Sequence, residues 1–417
     1  MNVGINYPWC NYGWDFGTPP STWSPRAQWK NGKPADPQKG TPAIPALQNA
    51  LADFRRIGIF AVRWFILGNG VGFGTPPGAA PPQLTPNDPL VQDFTELLRV
   101  FAASSLQLLP SLIDYRWCLP VAHKGPGIDE GGRSDVIIDP NKRVAFLRGV
   151  LQPLLDASRA FPSTIYAWEV INEPDWVKTV SKRTMESFIK EACTRIRTDF
   201  KSTVGFAKHN TMRAWGKNIA TSSDQFHYYG NHGDLPDCGR ENPCIVGEFA
   251  TAPHHSWPKF NRQDVLSRLW ILKHKGYPAA FLWSAYGKET DPPPATANWQ
   301  HVQNEVLQFT QGPPRALGAL VEGWWRIEYA GKKYFYLFSK DGGVLWTFQQ
   351  PGSSNVPMMR PSGGDGYWLS PQARQVTIVW PRTGTVEKWS GIVAGSPVPV
   401  PTPITVNNQS GTATKLF

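Results

Sequence analysis

The chain has 417 residues, 41% of them hydrophobic and 18% charged, with a net charge of +10. That length accommodates one large domain and a smaller one, and that balance excludes a disordered chain. No apolar run is long enough to cross a bilayer, no Lys/Arg block offers a stripe for nucleic acid, and five cysteines cannot build a dense disulfide framework. The chain is therefore expected to have no membrane and no nucleic-acid partner, and to be a monomer.

The opening "MNVGINYPWC" lacks the basic region, apolar core and cleavage site of a leader peptide. A cytoplasmic chain and a secreted chain whose leader has been removed both fit, with the secreted form slightly favoured. "VGINY" (3–7) is the first strand candidate. "IFAVRWFI" (59–66), "LQLLPSLID" (106–114) and "TIYAWEVI" (164–171) follow, then "TVGFAK" (203–208), "DQFHYY" (224–229), "CIVGEF" (244–249) and "AAFLWSAY" (279–286). Between them, "ALQNALADFRRIG", "LVQDFTELLRVFAAS", "KRVAFLRGVLQPLLDASRA", "SFIKEACTRIRTDF" and "RQDVLSRLWILKHKG" repeat apolar residues at three- and four-residue spacing, which predicts helices.

Eight apolar strands alternating with helices predict parallel strands buried on both faces. Eight such units close a (β/α)8 barrel, the fold class expected for residues 1–313. An open doubly wound sheet is the alternative, but no glycine-rich phosphate loop follows the first strand. The stretch "GNHGDLPDCGREN" is too short for a full helix, so the sixth unit is irregular. Cys238 and Cys244 flank part of it and are close enough to staple a loop; two free thiols fit as well.

The loops 8–42, 67–87 and 115–138 are long, and in a barrel they lie on the C-terminal face, where active sites are built. Trp9, Trp14, Trp117, Trp176 and Trp257 fall on such loops, and flat indoles suit either sugar stacking or packing. His254 and His255 have no carboxylate or cysteine companion nearby, so no metal site is expected.

At "QGPPRALG" (311–318) the period changes to two. "WWRIEYAGKKYFYLFSKDGGVLWTF" and "RQVTIVWPRTGTVEKWSG" alternate around Gly- and Asp-rich turns, predicting a small antiparallel β-sandwich-like domain over 314–417. It is either a sugar-binding module or a buttress. The Pro- and Thr-rich end, from Ser396, is an edge strand or a loose tail.

Two carboxylates stand at strand ends. "TIYAWEVINEPDW" puts Glu173 after the fourth strand and "CIVGEFAT" puts Glu248 at the end of the seventh. Strands four and seven face one another across a barrel mouth, so the pair could flank one bond of a substrate. Glycoside hydrolysis needs such a pair, one carboxyl protonated and one ionised, and mutual repulsion helps keep one protonated. Salt bridges closing the barrel end are the bland alternative.

Taken together, these motifs resemble clan A glycoside hydrolases, in particular the cellulase-like family 5 group, over residues 3–286. "WEVINEP" resembles the clan's Asn-Glu-Pro signature, implying that Glu173 is the acid/base and that Asn172 binds the sugar 2-hydroxyl. "VGEF" resembles the nucleophile strand, implying that role for Glu248. "FHYY" implies His227 and Tyr229 near the site, "VRWF" implies Arg63 near the nucleophile, and "FLWSAYG" implies Trp283 as the floor of a sugar subsite. The family usually carries a His near the end of strand three; here "LIDYRWC" offers Asp114, Tyr115 and Trp117.

The expectation is a retaining β-glycosidase with an oligo- or polysaccharide substrate and no metal or organic cofactor. Its substrate-binding set is Arg63, Asn172, His227, Tyr229, Trp283, Trp117, Asp114, Trp9 and Trp176. Long Trp-rich loops favour endo action on a β-linked glucan or mannan. An exo-acting enzyme and a non-catalytic carbohydrate-binding barrel are the alternatives.

Overall fold

The structure is a computed structural model that describes residues 1–7, 16–17, 34–36, 41–125, 128–229, 235–236, 243–249, 265–285, 303, 305–307, 309–310, 323–338, 343–347, 366–369, 375–380, 385–391 and 402–416. Two compact units make up the chain. One holds eight parallel strands and the long intervening helices up to residue 229; the other holds the C-terminal strands and the helix Val265–His274. Among the described residues no helix is long and apolar enough to cross a membrane.

The first unit is the expected closed barrel. Its strands are β1 Asn2–Asn6, β2 Ile59–Phe65, β3 Gln107–Asp114, β4 Trp168–Asn172, β5 Ser202–Phe206, β6 Asp224–Tyr228, β7 Cys244–Phe249 and β8 Ala279–Leu282. Each pairs with its sequence neighbour, and β8 pairs with β1. β4, β5, β7 and β8 are buried at every position, as strands covered on both faces must be.

Part of the barrel interior is filled by Ala61, Leu109, Ala167, Ile245, Ala279 and Phe281. Gly4 is required there: a Cβ on it would lie 2.3 Å from Cδ1 of Phe281. Helix Pro89–Ser104 shows how the outer layer forms. Pro89 opens its first turn, Leu90, Val91, Phe94, Leu97, Leu98 and Phe101 form the buried stripe, and Ser105 ends it in the left-handed conformation.

Three details differ from the sequence reading: the eighth strand ends at Leu282 rather than 286, and two others lie earlier in the chain. The fourth strand starts at Trp168 rather than 164, because Pro162–Thr164 is a 3-10 turn and Ile165 makes only an isolated bridge to Leu108. A helix at His209–Gly216 lies between β5 and β6. It spans only two turns and buries one side chain, Met212, so it leaves little periodicity to detect.

In the second unit, β9 Gly323–Tyr329, β10 Lys332–Phe338, β11 Gly343–Thr347, β12 Gly366–Leu369, β13 Gln375–Trp380, β14 Thr385–Ser390, β15 Thr402–Val406 and β16 Gln409–Lys415 are antiparallel. The antiparallel domain is present, as one sheet that curls until β16 pairs with β9. Alternate residues Trp325, Ile327, Tyr336, Phe338, Ile378, Trp389 and Val406 fill its interior. The Pro- and Thr-rich end supplies β15 and β16, joined at Asn407-Asn408, whose φ values of 47° and 68° suit a two-residue hairpin turn. The expected domain boundary at 313/314 lies outside the described residues.

Candidate active site

Strand register builds the site. Parallel pairing sets Asn6 beside Arg63, Asp114 beside Asn172, and His227 beside Glu248, all at the C-terminal ends of their strands. The register shift between Phe226 and His227 achieves the last of these. Glu173 leaves β4 with φ 49° and ψ 50°, a left-handed conformation unusual for a side-chain-bearing residue. Pro174 disfavours the right-handed helical alternative for the residue before it. The Glu173 amide is held on the Gly205 carbonyl at 2.6 Å, and the carboxyl is turned over the barrel mouth toward His227.

The network is closely spaced. His227 Nδ1 lies 2.8 Å from Glu173 Oε1 and 3.3 Å from Glu248 Oε2. Tyr229 donates its hydroxyl to Glu248 Oε2 at 2.6 Å. Arg63 donates Nη1 to Glu248 Oε1 and to Asn6 Oδ1, each at 2.8 Å. Asn172 accepts from Arg63 Nη2 at 2.5 Å and donates to Asp114 Oδ2 at 2.6 Å, which fixes the orientation of its amide. Asn6 in turn donates to the carbonyls of Gly247 and Leu282, tying β1 to β7 and β8.

The electrostatics separate the two glutamates. Burial, reinforced by Asp175, pushes the Glu173 carboxyl up to about 8, with Arg63 opposing. Burial also raises Glu248, but His227, Arg63 and the Tyr229 hydrogen bond oppose that rise. Burial lowers the proton affinity of His227 against the opposing pull of Glu248, and burial beside Glu248 raises the Tyr229 phenol. Asp114 is pushed up to about 7 by burial, against the bonds it accepts from Asn172 and the Arg116 amide.

Two residues essential to this network are absent from the sequence-derived set. Glu169 is fully buried and takes Nε and Nη2 of Arg63, both at 2.6 Å. Gln225 donates to the same carboxylate at 2.6 Å. The available signal was a charge inside an otherwise apolar strand, at the same alternation as Glu173.

The tryptophans divide. Trp117 is a correction: it is fully buried, gives its indole N–H to the Leu67 carbonyl, and packs on Phe73 and Phe146, so no face is left for a sugar. Trp176, 45% exposed, follows Glu173 within the same 3-10 turn, with Lys208 Nζ 5.8 Å from its ring. Trp283 is half-buried just beyond β8, its amide bonded to the Phe249 carbonyl at 2.8 Å. Trp9, Trp14, Trp257, His254, His255 and Cys238 lie outside the described residues.

Donor atoms of Glu173, His227 and Glu248 lie within 4.8 Å of one another, the only such trio among the described residues. Glu173 and His227 bond to one another, and Glu248 bonds to Tyr229 and Arg63. Chemically, a high-affinity proton sits opposite a carboxylate held by a cation and a phenol. That arrangement can protonate one atom of a substrate and attack its neighbour.

Comparison with protein-family models and with curated proteins finds no match. Solved structures do match. An endo-1,4-beta-mannanase from Eisenia fetida is 17% identical, with TM-score 0.55, covering 74% of this chain and 90% of that one. A beta-1,4-D-mannanase from Cryptopygus antarcticus is 16% identical, with TM-score 0.55, covering 75% and 90%. A beta-mannanase from the blue mussel Mytilus edulis is 17% identical, with TM-score 0.53, covering 75% and 92%. At such identities the likeness is one of fold: this chain has the (β/α)8 barrel of these glycosidases.

Proposed function

We propose that the protein is a retaining β-glycoside hydrolase acting on a β-linked polysaccharide of the mannan or glucan type. The observation that carries this reading is the spacing of the two glutamates: an oxygen of each lies within 4.8 Å of the other. Retaining enzymes hold their carboxyl groups about 5–5.5 Å apart, whereas inverting enzymes leave about 6.5–9.5 Å for a water.

Glu173 is the acid. With its proton affinity raised to about 8, it is protonated at neutral pH and can donate to the departing glycosidic oxygen. Glu248 is the nucleophile. Its carboxylate attacks the anomeric carbon as the C–O bond to the leaving group breaks, giving a glycosyl ester. Glu173, now ionised, takes a proton from water; that water attacks the same carbon, and the ester bond to Glu248 breaks. Two displacements restore the starting configuration.

The neighbours match the task. Arg63 and Tyr229 bond the Glu248 carboxylate and so favour its ionised form. Asn172 has one N–H on Asp114 and retains a second to offer a sugar hydroxyl. Exposed Trp176 and half-buried Trp283 lie just beyond β4 and β8 and can stack on pyranose faces. Since three structures of the same fold carry mannanase names, mannan is the first polymer to test, with endo action read from product length.

Azide rescue tests the assignment. In Glu248→Ala, the first displacement should nearly vanish, and azide should enter from the vacated face to give an inverted glycosyl azide. In Glu173→Ala, activated aryl glycosides should still form the intermediate, and azide should give a retained product. Equal, modest losses without rescue in both variants would refute the reading.

A further inference from the structure

We propose that Glu169 is a positioning residue that apportions Arg63 between itself and the nucleophile, and so sets the pH window of the site. The inference rests on the assignment of Glu248 as nucleophile and Glu173 as acid.

Arg63 is the pivot. Glu169 takes Nε and Nη2 in a two-pronged contact at 2.6 Å, leaving Nη1 for Glu248 at 2.8 Å. The guanidinium plane is rigid, so fixing two nitrogens fixes the third. Glu169 thereby aims the only N–H that Glu248 receives from this cation. Nη2 continues to Asn172, so the same clamp also orients the amide beside Glu173.

The chain makes room for this clamp. Glu169 accepts further bonds from Ser111 at 2.9 Å and Gln225 at 2.6 Å, so four donor atoms meet its two oxygens. Two glycines on neighbouring strands leave the space. A Cβ on Gly205 would lie 2.9 Å from Glu169 Oε1, and one on Gly247 would lie 2.3 Å from Gln225 Nε2. A salt bridge that only closed the barrel would end at Glu169; this one extends through Arg63 to both sides of the reacting centre.

The charge has a consequence. The groups that act on Glu169 are Arg63 on β2, Ser111 on β3, and Gln225 and His227 on β6; Glu173, just after β4, feels its charge, and Glu248 on β7 shares Arg63 with it. Arg116 and Asp175 lie just beyond. Burial works against ionising Glu169, but the charge and bonds of Arg63, with His227 and Gln225, offset that and hold it below the usual carboxylate range. Ionised Glu169 cancels much of the Arg63 charge felt by Glu248 and raises the proton affinity of Glu173. Without that charge, both reacting carboxyls would ionise at lower pH.

The test is the pH dependence of kcat/KM on mannopentaose or cellopentaose, whichever the wild type cleaves faster. In Glu169→Gln, both limbs should move to lower pH, the alkaline limb by about one pH unit. Glu169→Asp keeps the charge but is too short to reach both nitrogens. Its limbs should stay in place while kcat falls about tenfold. A folded Glu169→Gln whose limbs coincide with the wild type overturns the proposal. If Glu169→Gln does not fold, Glu169→Asp decides: wild-type kcat with unmoved limbs overturns it, and a fall in kcat with unmoved limbs supports it. Glu248→Ala serves as the control. If that variant keeps full activity, the functional reading itself fails; if it is inactive while Glu169→Gln is unshifted, only this inference fails.

Discussion

Tyr229 donates its hydroxyl to Oε2 of Glu248 at 2.6 Å, the same oxygen that lies 3.3 Å from Nδ1 of His227. One carboxylate oxygen therefore has two polar contacts from β6 and its end, while the other is bound by Arg63 from β2. The Tyr229 bond favours the ionised form of Glu248. Tyr229→Phe removes it, so Glu248 should titrate at higher pH and the acid limb should move upward. On that limb kcat/KM should fall about tenfold, a loss expected for one hydrogen bond to a charged group. A pH profile of the variant checks both outcomes.

On the proposed mechanism Glu173 must be protonated to act as the acid, so it sets the alkaline limb; burial raises its carboxyl to about 8. Activity on oligosaccharides should therefore be retained up to neutral pH and decline through pH 8. Aryl glycosides with good leaving groups need little protonation, so the decline should weaken or disappear with them. Comparing the two substrate types across pH 6 to 10 on the order of half-unit steps tests this.

Asp114 is 2% exposed and accepts from Asn172 at 2.6 Å. Asp114→Ala leaves that N–H without its acceptor, a loss of about 1–3 kcal/mol in stability. It also frees the Asn172 amide to turn. Discrimination between a substrate and its 2-deoxy analogue should then shrink, measured as the ratio of their kcat/KM values.

Trp117 and Trp176 should separate cleanly. Trp117→Ala removes a fully buried indole and should cost about 3–5 kcal/mol, read by denaturant unfolding. Trp176→Ala removes an exposed ring and should leave stability within about 0.5 kcal/mol while raising KM for polysaccharide. The opposite pairing of effects would show that the sugar meets Trp117.

The two tryptophans also mark how far the sequence could be read. Both lie just after strands, on loops of similar composition, and nothing local distinguishes them. Trp117 is buried because its loop folds inward onto Phe73 and Phe146, residues from elements far apart in the chain. The hairpin β15–β16 is a milder case: Asn407-Asn408 carries a turn signal, but its surroundings read equally well as a tail.

By itself the sequence determined the eight strands, their burial on both faces, and the placement of Glu173 and Glu248 at strand ends. Those properties follow from local periodicity, since an apolar run stopped by a proline or a carboxylate reports its environment within a few residues. Tertiary structure alone decided which polar atoms meet. Arg63 and Glu169 are 106 positions apart, Arg63 and Glu248 are 185 apart, and Asn6 reaches Gly247 across 241. Their contacts depend on the register of every strand and on the closure of β8 against β1, so no local stretch encodes them. Glu169 reads in isolation as an unfavourable charge in an apolar strand; only the closed ring brings Arg63 and Gln225 close enough to offset its burial.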